Sequence, residues 1–234
     1  MSTAPTHWVV VPAAGHGARF GGELPKQYAP LLGKPVLLRT LERLARHPRI
    51  AGIMVARAAD DPHYPRCEAL HGKPVLDCAG GAQRADSVLA GLRALPESVR
   101  ERDWVLVHDA ARPCLRHDDL DRLLDHGCAH AVGALLGAPL RDTLKEAEPS
   151  GEIARSMPRE RLWRAFTPQL FRRATLSRAL EAALAAGAAV TDEAMAIERL
   201  GLSPLLVEGA EDNLKITTRA DLALAEFIFT KLDA

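Results

Sequence analysis

Two basic residues behind a run of small ones are the first chemical signal in the chain. In Pro12-Ala13-Ala14-Gly15-His16-Gly17-Ala18-Arg19-Phe20, small side chains leave room for the backbone to approach a phosphate or a base. Arg19 and Lys26 flank a Gly21-Gly22 turn and supply the fixed positive charge that a triphosphate needs along its length. Two familiar phosphate loops do not fit this segment. A dinucleotide fingerprint requires glycine where Phe20 stands, and no Gly-Lys-Ser/Thr ending follows to make a Walker loop. A second acidic and basic cluster, His108-Asp109-Ala110-Ala111-Arg112-Pro113, ends another hydrophobic run and offers a carboxylate to the same crevice.

These residues need a scaffold that brings strand ends together, and the hydrophobic pattern supplies one. Short apolar runs read as strands at Trp8 to Val11, Ile50 to Ala56, Pro74 to Cys78, Trp104 to His108, Ala131 to Leu136 and Leu205 to Val207. Helical periodicity lies between them: from Pro35 through Ala45, from about Asp86 through Leu95, and from Asp118 or Asp119 through Leu124. It returns at Arg172 to Ala186, Asp192 to Leu200 and Arg219 to Leu232. The alternation predicts an α/β fold, a mostly parallel twisted sheet flanked by helices, in a single domain spanning 1–234. Residues 138–161 break the rhythm. They are rich in Pro, Gly and charge, and read as an extended arm or hairpin leaving the body, a kind of excursion that often serves subunit contact.

Composition excludes several classes. Among 234 residues, 47% are hydrophobic and 26% charged, as in an ordinary globular chain, and 30 basic residues balance 30 acidic ones. No global field recruits nucleic acid or an anionic membrane, so phosphate-binding charge must be local. Charges interrupt every apolar run before it reaches membrane-spanning length, and the short polar leader before Trp8 points to a cytoplasmic protein. Cys67, Cys78, Cys114 and Cys128 form no CxxC pair, which fits free thiols. His126 and His130 share a helical face but have no fixed third ligand for zinc, and the basic run Arg155 to Arg164 reads as a solvated arm.

Seven segments, VVPAAGHGARF, PKQY, GGAQRADSV, VHDAARP, TPQLF, TDEA and VEGAEDNLKIT, occur in an order that closely resembles the 2-C-methyl-D-erythritol 4-phosphate cytidylyltransferases of non-mevalonate isoprenoid synthesis. The resemblance covers nearly the whole chain. It implies a Rossmann-like nucleotidyltransferase fold, a homodimer with interlocking arms, and Mg2+-dependent transfer of CMP from CTP to 2-C-methyl-D-erythritol 4-phosphate.

Matched by motif, the resemblance makes Arg19, Lys26 and Lys215 catalytic. It assigns CTP to Pro12, Ala13, Ala14, Gly15, Gly17, Gly80, Gly81, Arg84, Ser87, Asp109 and Ala110, with Asp109 also orienting the metal mainly through water. It assigns the acceptor to Thr143, Arg159, Thr167, Thr191 and Lys215, and implies that Thr143 and Arg159 complete the partner subunit's site. His108 is left structural, because transfer between ionised phosphates needs no general base. Many members carry an acidic residue where this chain has Ala82, which leaves only a backbone role there. Ribitol 5-phosphate is the alternative acceptor. A dinucleotide-dependent oxidoreductase and a non-catalytic nucleotide sensor stand as alternatives of other classes.

Overall fold

The computed structural model describes residues 6–15, 20 and 24–232. Its strands and helices, in chain order, begin with β1 (His7–Pro12), β2 (Pro30–Leu31), β3 (Lys34–Pro35), α1 (Val36–Ala45), β4 (Ile50–Arg57), β5 (Ala69–Leu70), β6 (Lys73–Ala79) and α2 (Arg84–Ala94). They continue with β7 (Trp104–Val107), α3 (His117–Ala129), β8 (Gly133–Pro139), β9 (Leu144–Ala147), β10 (Ile153–Met157) and β11 (Trp163–Arg172). The last are α4 (Arg173–Ala185), α5 (Glu193–Glu198), β12 (Leu205–Glu208) and α6 (Arg219–Leu232).

The main sheet has eight strands in the order β12-β8-β11-β7-β1-β4-β6-β5. The pairs β1–β4, β1–β7, β4–β6 and β8–β12 are parallel, whereas β11 runs antiparallel to both β7 and β8. Central strands are apolar on both faces because helices cover both sides. Val9 and Val11 pack with Leu37, Leu41, Leu120 and Leu123 of α1 and α3. Val10, between them, faces the opposite layer with Val88, Leu92, Leu176 and Ile197 of α2, α4 and α5. All three valines are fully buried. A third cluster joins Leu31, Val36 and Ile216 to Phe229 of α6.

All six sequence-predicted strands form, and the predicted helices lie within a residue or two of the observed ones, except that α3 continues five residues past Leu124 to Ala129. The two-residue β5 is the eighth strand of the sheet, at its edge beside β6. Pattern reading did not find β11. Arg164, the Thr167-Pro168 pair and Arg172 interrupt its apolar run, and its pairing with β8 lapses between Ala165 and Gln169. The predicted arm contains an antiparallel β9–β10 hairpin with its own two-stranded sheet.

The chain passes from β1 outward to β4 and β6, then returns through α2 to β7 on the other side of β1. That reversal between β1 and β7 is the switch point at which open parallel sheets form a crevice beyond their carboxyl ends. The loops after β1, β6 and β7 all open into it.

Candidate active site

A cleft of about 320 Å³ lies at this switch point, lined by the loop after β1, the turn before α2, the loop after β7, Lys26 with Gln27, and Lys215. Each wall has a local cause. Ala13 N–H continues the β1 ladder by donating to Ala56 O at 2.7 Å. The Gln27 side chain then ties down the loop, its Nε2 donating to Ala13 O at 3.1 Å and Gly15 O at 2.8 Å. Gln27 is 4% exposed, so these bonds are sheltered from water and also fix the turn that carries Lys26.

The wall after β6 is a close-packed turn. A Cβ on Gly80 would come within 2.8 Å of both Ala14 Cβ and Ser87 Oγ, and one on Gly81 within 2.3 Å of Asp86 Cβ. Only glycine fits either place. Ser87 Oγ accepts from Gly81 N at 3.1 Å and donates to Gln83 O at 3.1 Å, while Asp86 caps α2 by accepting from Gln83 N at 2.9 Å. The result is a row of backbone groups beside a helix start, in a site too narrow for bulky side chains.

Asp109 is the electrostatic centre. Its Oδ1 accepts from Arg84 Nε at 3.1 Å, and its Oδ2 faces Arg112 Nε at 3.2 Å and Lys215 Nζ at 3.0 Å. Burial alone would raise its pKa, but Arg84, Lys215 and Arg112 together hold it far below the usual carboxylate range. Asp109 is therefore a permanent anion at the floor of a cationic cleft. Arg112 also donates to Asn213 O at 2.6 Å, and Ile216 N to Ala111 O at 2.9 Å, so the segment bearing Lys215 is docked on the loop after β7.

Beneath Asp109, His108 Nε2 is 3.0 Å from Arg112 O and its Nδ1 is 3.1 Å from Thr167 Oγ1, which also accepts from Asp109 N at 3.0 Å. A carbonyl can only accept, so Nε2 carries the proton and Nδ1 receives the Thr167 hydroxyl hydrogen. Complete burial pushes the His108 pKa down to about 4, which keeps the ring neutral. His108 is a structural residue, in line with its sequence reading.

Of the sequence-predicted residues, the cleft brings together Pro12, Ala13, Ala14, Gly15, Lys26, Gly81, Arg84, Ser87, Asp109, Ala110 and Lys215. Gly80 stands directly behind the lining. Gly17 and Arg19 lie outside the described residues. Thr143, Arg159 and Thr191 do not line this cleft: the Arg159 guanidinium bonds Arg141 O on the arm, and Thr191 Oγ1 is 3.6 Å from Met195 Sδ. Thr167, expected at the acceptor, is 3% exposed and has its hydroxyl committed beneath the floor, because β11 packs it against the loop after β7. Sequence reasoning missed Gln27 and Glu193. Both stand inside the quoted motifs, PKQY and TDEA, and their burial was the signal that the sequence alone does not carry.

The geometry suits a nucleotide with a charged phosphate chain, and comparison with known proteins agrees. The family model described as 2-C-methyl-D-erythritol 4-phosphate cytidylyltransferase matches residues 7–231. The protein of that name from Xanthomonas campestris pv. campestris (strain 8004) is 63% identical over 97% of this chain and 85% of its own length. A crystal structure of a 4-diphosphocytidyl-2C-methyl-D-erythritol synthase superposes with a TM-score of 0.80 at 35% identity, covering 97% of this chain and all of that one. The Francisella tularensis 2-C-methyl-D-erythritol 4-phosphate cytidylyltransferase also gives 0.80, at 33% identity over 95% of this chain and 99% of its own. With the family model matched over nearly the whole chain and the fold shared, the chain belongs to the 2-C-methyl-D-erythritol 4-phosphate cytidylyltransferase family.

Proposed function

We propose that this chain transfers CMP from CTP to 2-C-methyl-D-erythritol 4-phosphate, giving 4-diphosphocytidyl-2-C-methyl-D-erythritol and pyrophosphate. The observation that carries the reading is the convergence of Lys26, Arg84, Asp109 and Lys215 on one cleft walled by the loop after β1 and the Gly80-Gly81 turn. An acceptor phosphate oxygen forms a bond to the α-phosphorus of CTP as the bond to the β-phosphate oxygen breaks. The attacking oxygen is already ionised, so the protein's tasks are alignment and stabilisation of negative charge in the transition state.

Backbone groups of the Gly80–Ser87 turn read the cytosine. Lys26 follows charge developing on the α-phosphate, a role shared with Arg19 in the sequence reading, and Lys215 holds the acceptor phosphate. Magnesium is the cofactor of this reading, and Asp109 fits it. A carboxylate offers roughly four lone-pair directions, and the contacts with Arg84, Arg112 and Lys215 leave room for a metal-bound water. When bound, the ion neutralises phosphate charge, with most of its ligands coming from phosphates and water.

The chain acts as a homodimer in this reading, joined by the arm at about 138–161, whose hairpin carries an exposed Ile153. Thr143 and Arg159 then serve the partner's acceptor site. Among the described residues no helix is long and apolar enough to cross a membrane, and the four cysteines are free, in keeping with a cytoplasmic setting. Pyrophosphate release with magnesium and CTP tests the reading. Release should depend on methylerythritol 4-phosphate; preference for ribitol 5-phosphate would overturn the acceptor assignment, and no release with either would overturn the activity.

A further inference from the structure

The Arg84 guanidinium is shared between two carboxylates, and only one of them reaches the cleft. Its Nε holds Asp109 Oδ1 at 3.1 Å, while Nη1 and Nη2 meet Glu193 Oε1 and Oε2 at 2.5 and 3.1 Å. Glu193 is wholly buried and absent from the cleft lining. A two-bond contact fixes the plane of a guanidinium as well as its position. With that plane set by Glu193, Nε is aimed at Asp109.

Glu193 is itself held by a relay from β11. Gln169, 1% exposed, donates from Nε2 to Asp192 Oδ2 at 3.0 Å and accepts from Ala194 N at 2.7 Å through Oε1. Asp192 Oδ1 accepts from Met195 N at 2.9 Å and starts α5. The same strand, through Thr167, holds the backbone of Asp109. Thus β11 fixes Asp109 from below and, through α5, Glu193 and Arg84, from the side.

We propose that Glu193 is a positioning residue for CMP transfer, setting the orientation of Arg84 and through it the Asp109 carboxylate. The proposal rests on the functional reading above. Glu193→Gln preserves volume but turns an amide NH2 toward one of two guanidinium donors, so Arg84 must rotate away from Asp109. Since Glu193 lines no part of the cleft, its effect on turnover and on CTP binding passes entirely through Arg84 and Asp109.

The test measures kcat, CTP affinity by calorimetry and thermal unfolding for Glu193→Gln, for Asp109→Asn and for the double variant. We expect Glu193→Gln to lower kcat about 10- to 100-fold, as loss of a supporting partner commonly does. Glu193→Gln should cost nothing further, in kcat or in CTP affinity, in the Asp109→Asn background. Arg84→Lys, which keeps the charge but cannot bridge both carboxylates, is the second variant and should show the same kcat loss.

A wild-type kcat in both Glu193→Gln and Arg84→Lys would overturn the proposal. So would a full additional loss, in kcat or in CTP affinity, in the Asp109→Asn background. No pyrophosphate release by the unaltered chain would instead overturn the functional reading and this inference with it.

Discussion

The Thr167 hydroxyl and the His108 imidazole meet 3.1 Å apart beneath the cleft, and the same hydroxyl accepts the Asp109 N–H. One side chain on an antiparallel strand thus partners the Nδ1 of a buried histidine, whose tautomer the Arg112 carbonyl sets, and holds the backbone of the carboxylate above it. Thr167→Val keeps the shape and removes this link, leaving Asp109 N–H and His108 Nδ1 without their partner. It should cost about 1–3 kcal/mol in stability and lower kcat with the acceptor KM unchanged. Urea unfolding and steady-state kinetics check this. A raised acceptor KM at unchanged stability would return Thr167 to the acceptor site that the sequence resemblance assigned it.

His108 makes stability depend on pH in a definite direction. Burial lowers its pKa to about 4 in the fold, whereas in the unfolded chain it titrates near 6.5. Between those values the unfolded chain binds the extra proton, so this contribution is complete above about pH 6.5 and is lost as pH falls toward 4. The difference corresponds to about 3 kcal/mol. Burial lowers His7, His47 and His117 as well, so they add in the same sense. Urea midpoints measured from pH 7 down to 4.5 should fall steadily, and His108→Gln should flatten part of the slope. A stability independent of pH across this window would contradict the buried neutral ring.

Lys26→Ala should keep the fold and lose 10²- to 10³-fold in turnover, the usual cost, about 3 kcal/mol, of removing one transition-state donor. Arg159→Ala should also be inactive. If Arg159 completes the partner's site, dimers that pair a Lys26→Ala subunit with an Arg159→Ala subunit contain one intact site and recover activity. Chromatographically pure mixed dimers with no activity would place both residues in a site made within one chain.

Residues governed by local pattern were legible in the sequence, and residues governed by packing were not. Trp8 to Val11 reads as a strand because valines in succession suit a sheet buried on both faces, and the small residues after it mark a ligand loop at its end. The arm reads as an excursion because it lacks any apolar stripe. The strand β11 stays hidden because Arg164, Pro168 and Arg172 break its apolar run, although it lies between β7 and β8 in the sheet. The resemblance located TPQLF and TDEA but not the division of labour inside them. Thr167 and Glu193 turn inward to hold Asp109 and Arg84, and that follows only from the crossing of β11, α5 and the loop after β7.

If one nucleotide occupies the cleft between the β1 loop and the Gly80-Gly81 turn in a single orientation, a crystal structure with CTP and magnesium will show it. Cytosine should lie against residues 80–87, the phosphates within hydrogen-bond reach of Lys26, and the metal, through water, beside Asp109. Density for CTP outside this cleft, or with its base at Lys215 and its phosphates at the Gly80-Gly81 turn, would contradict it.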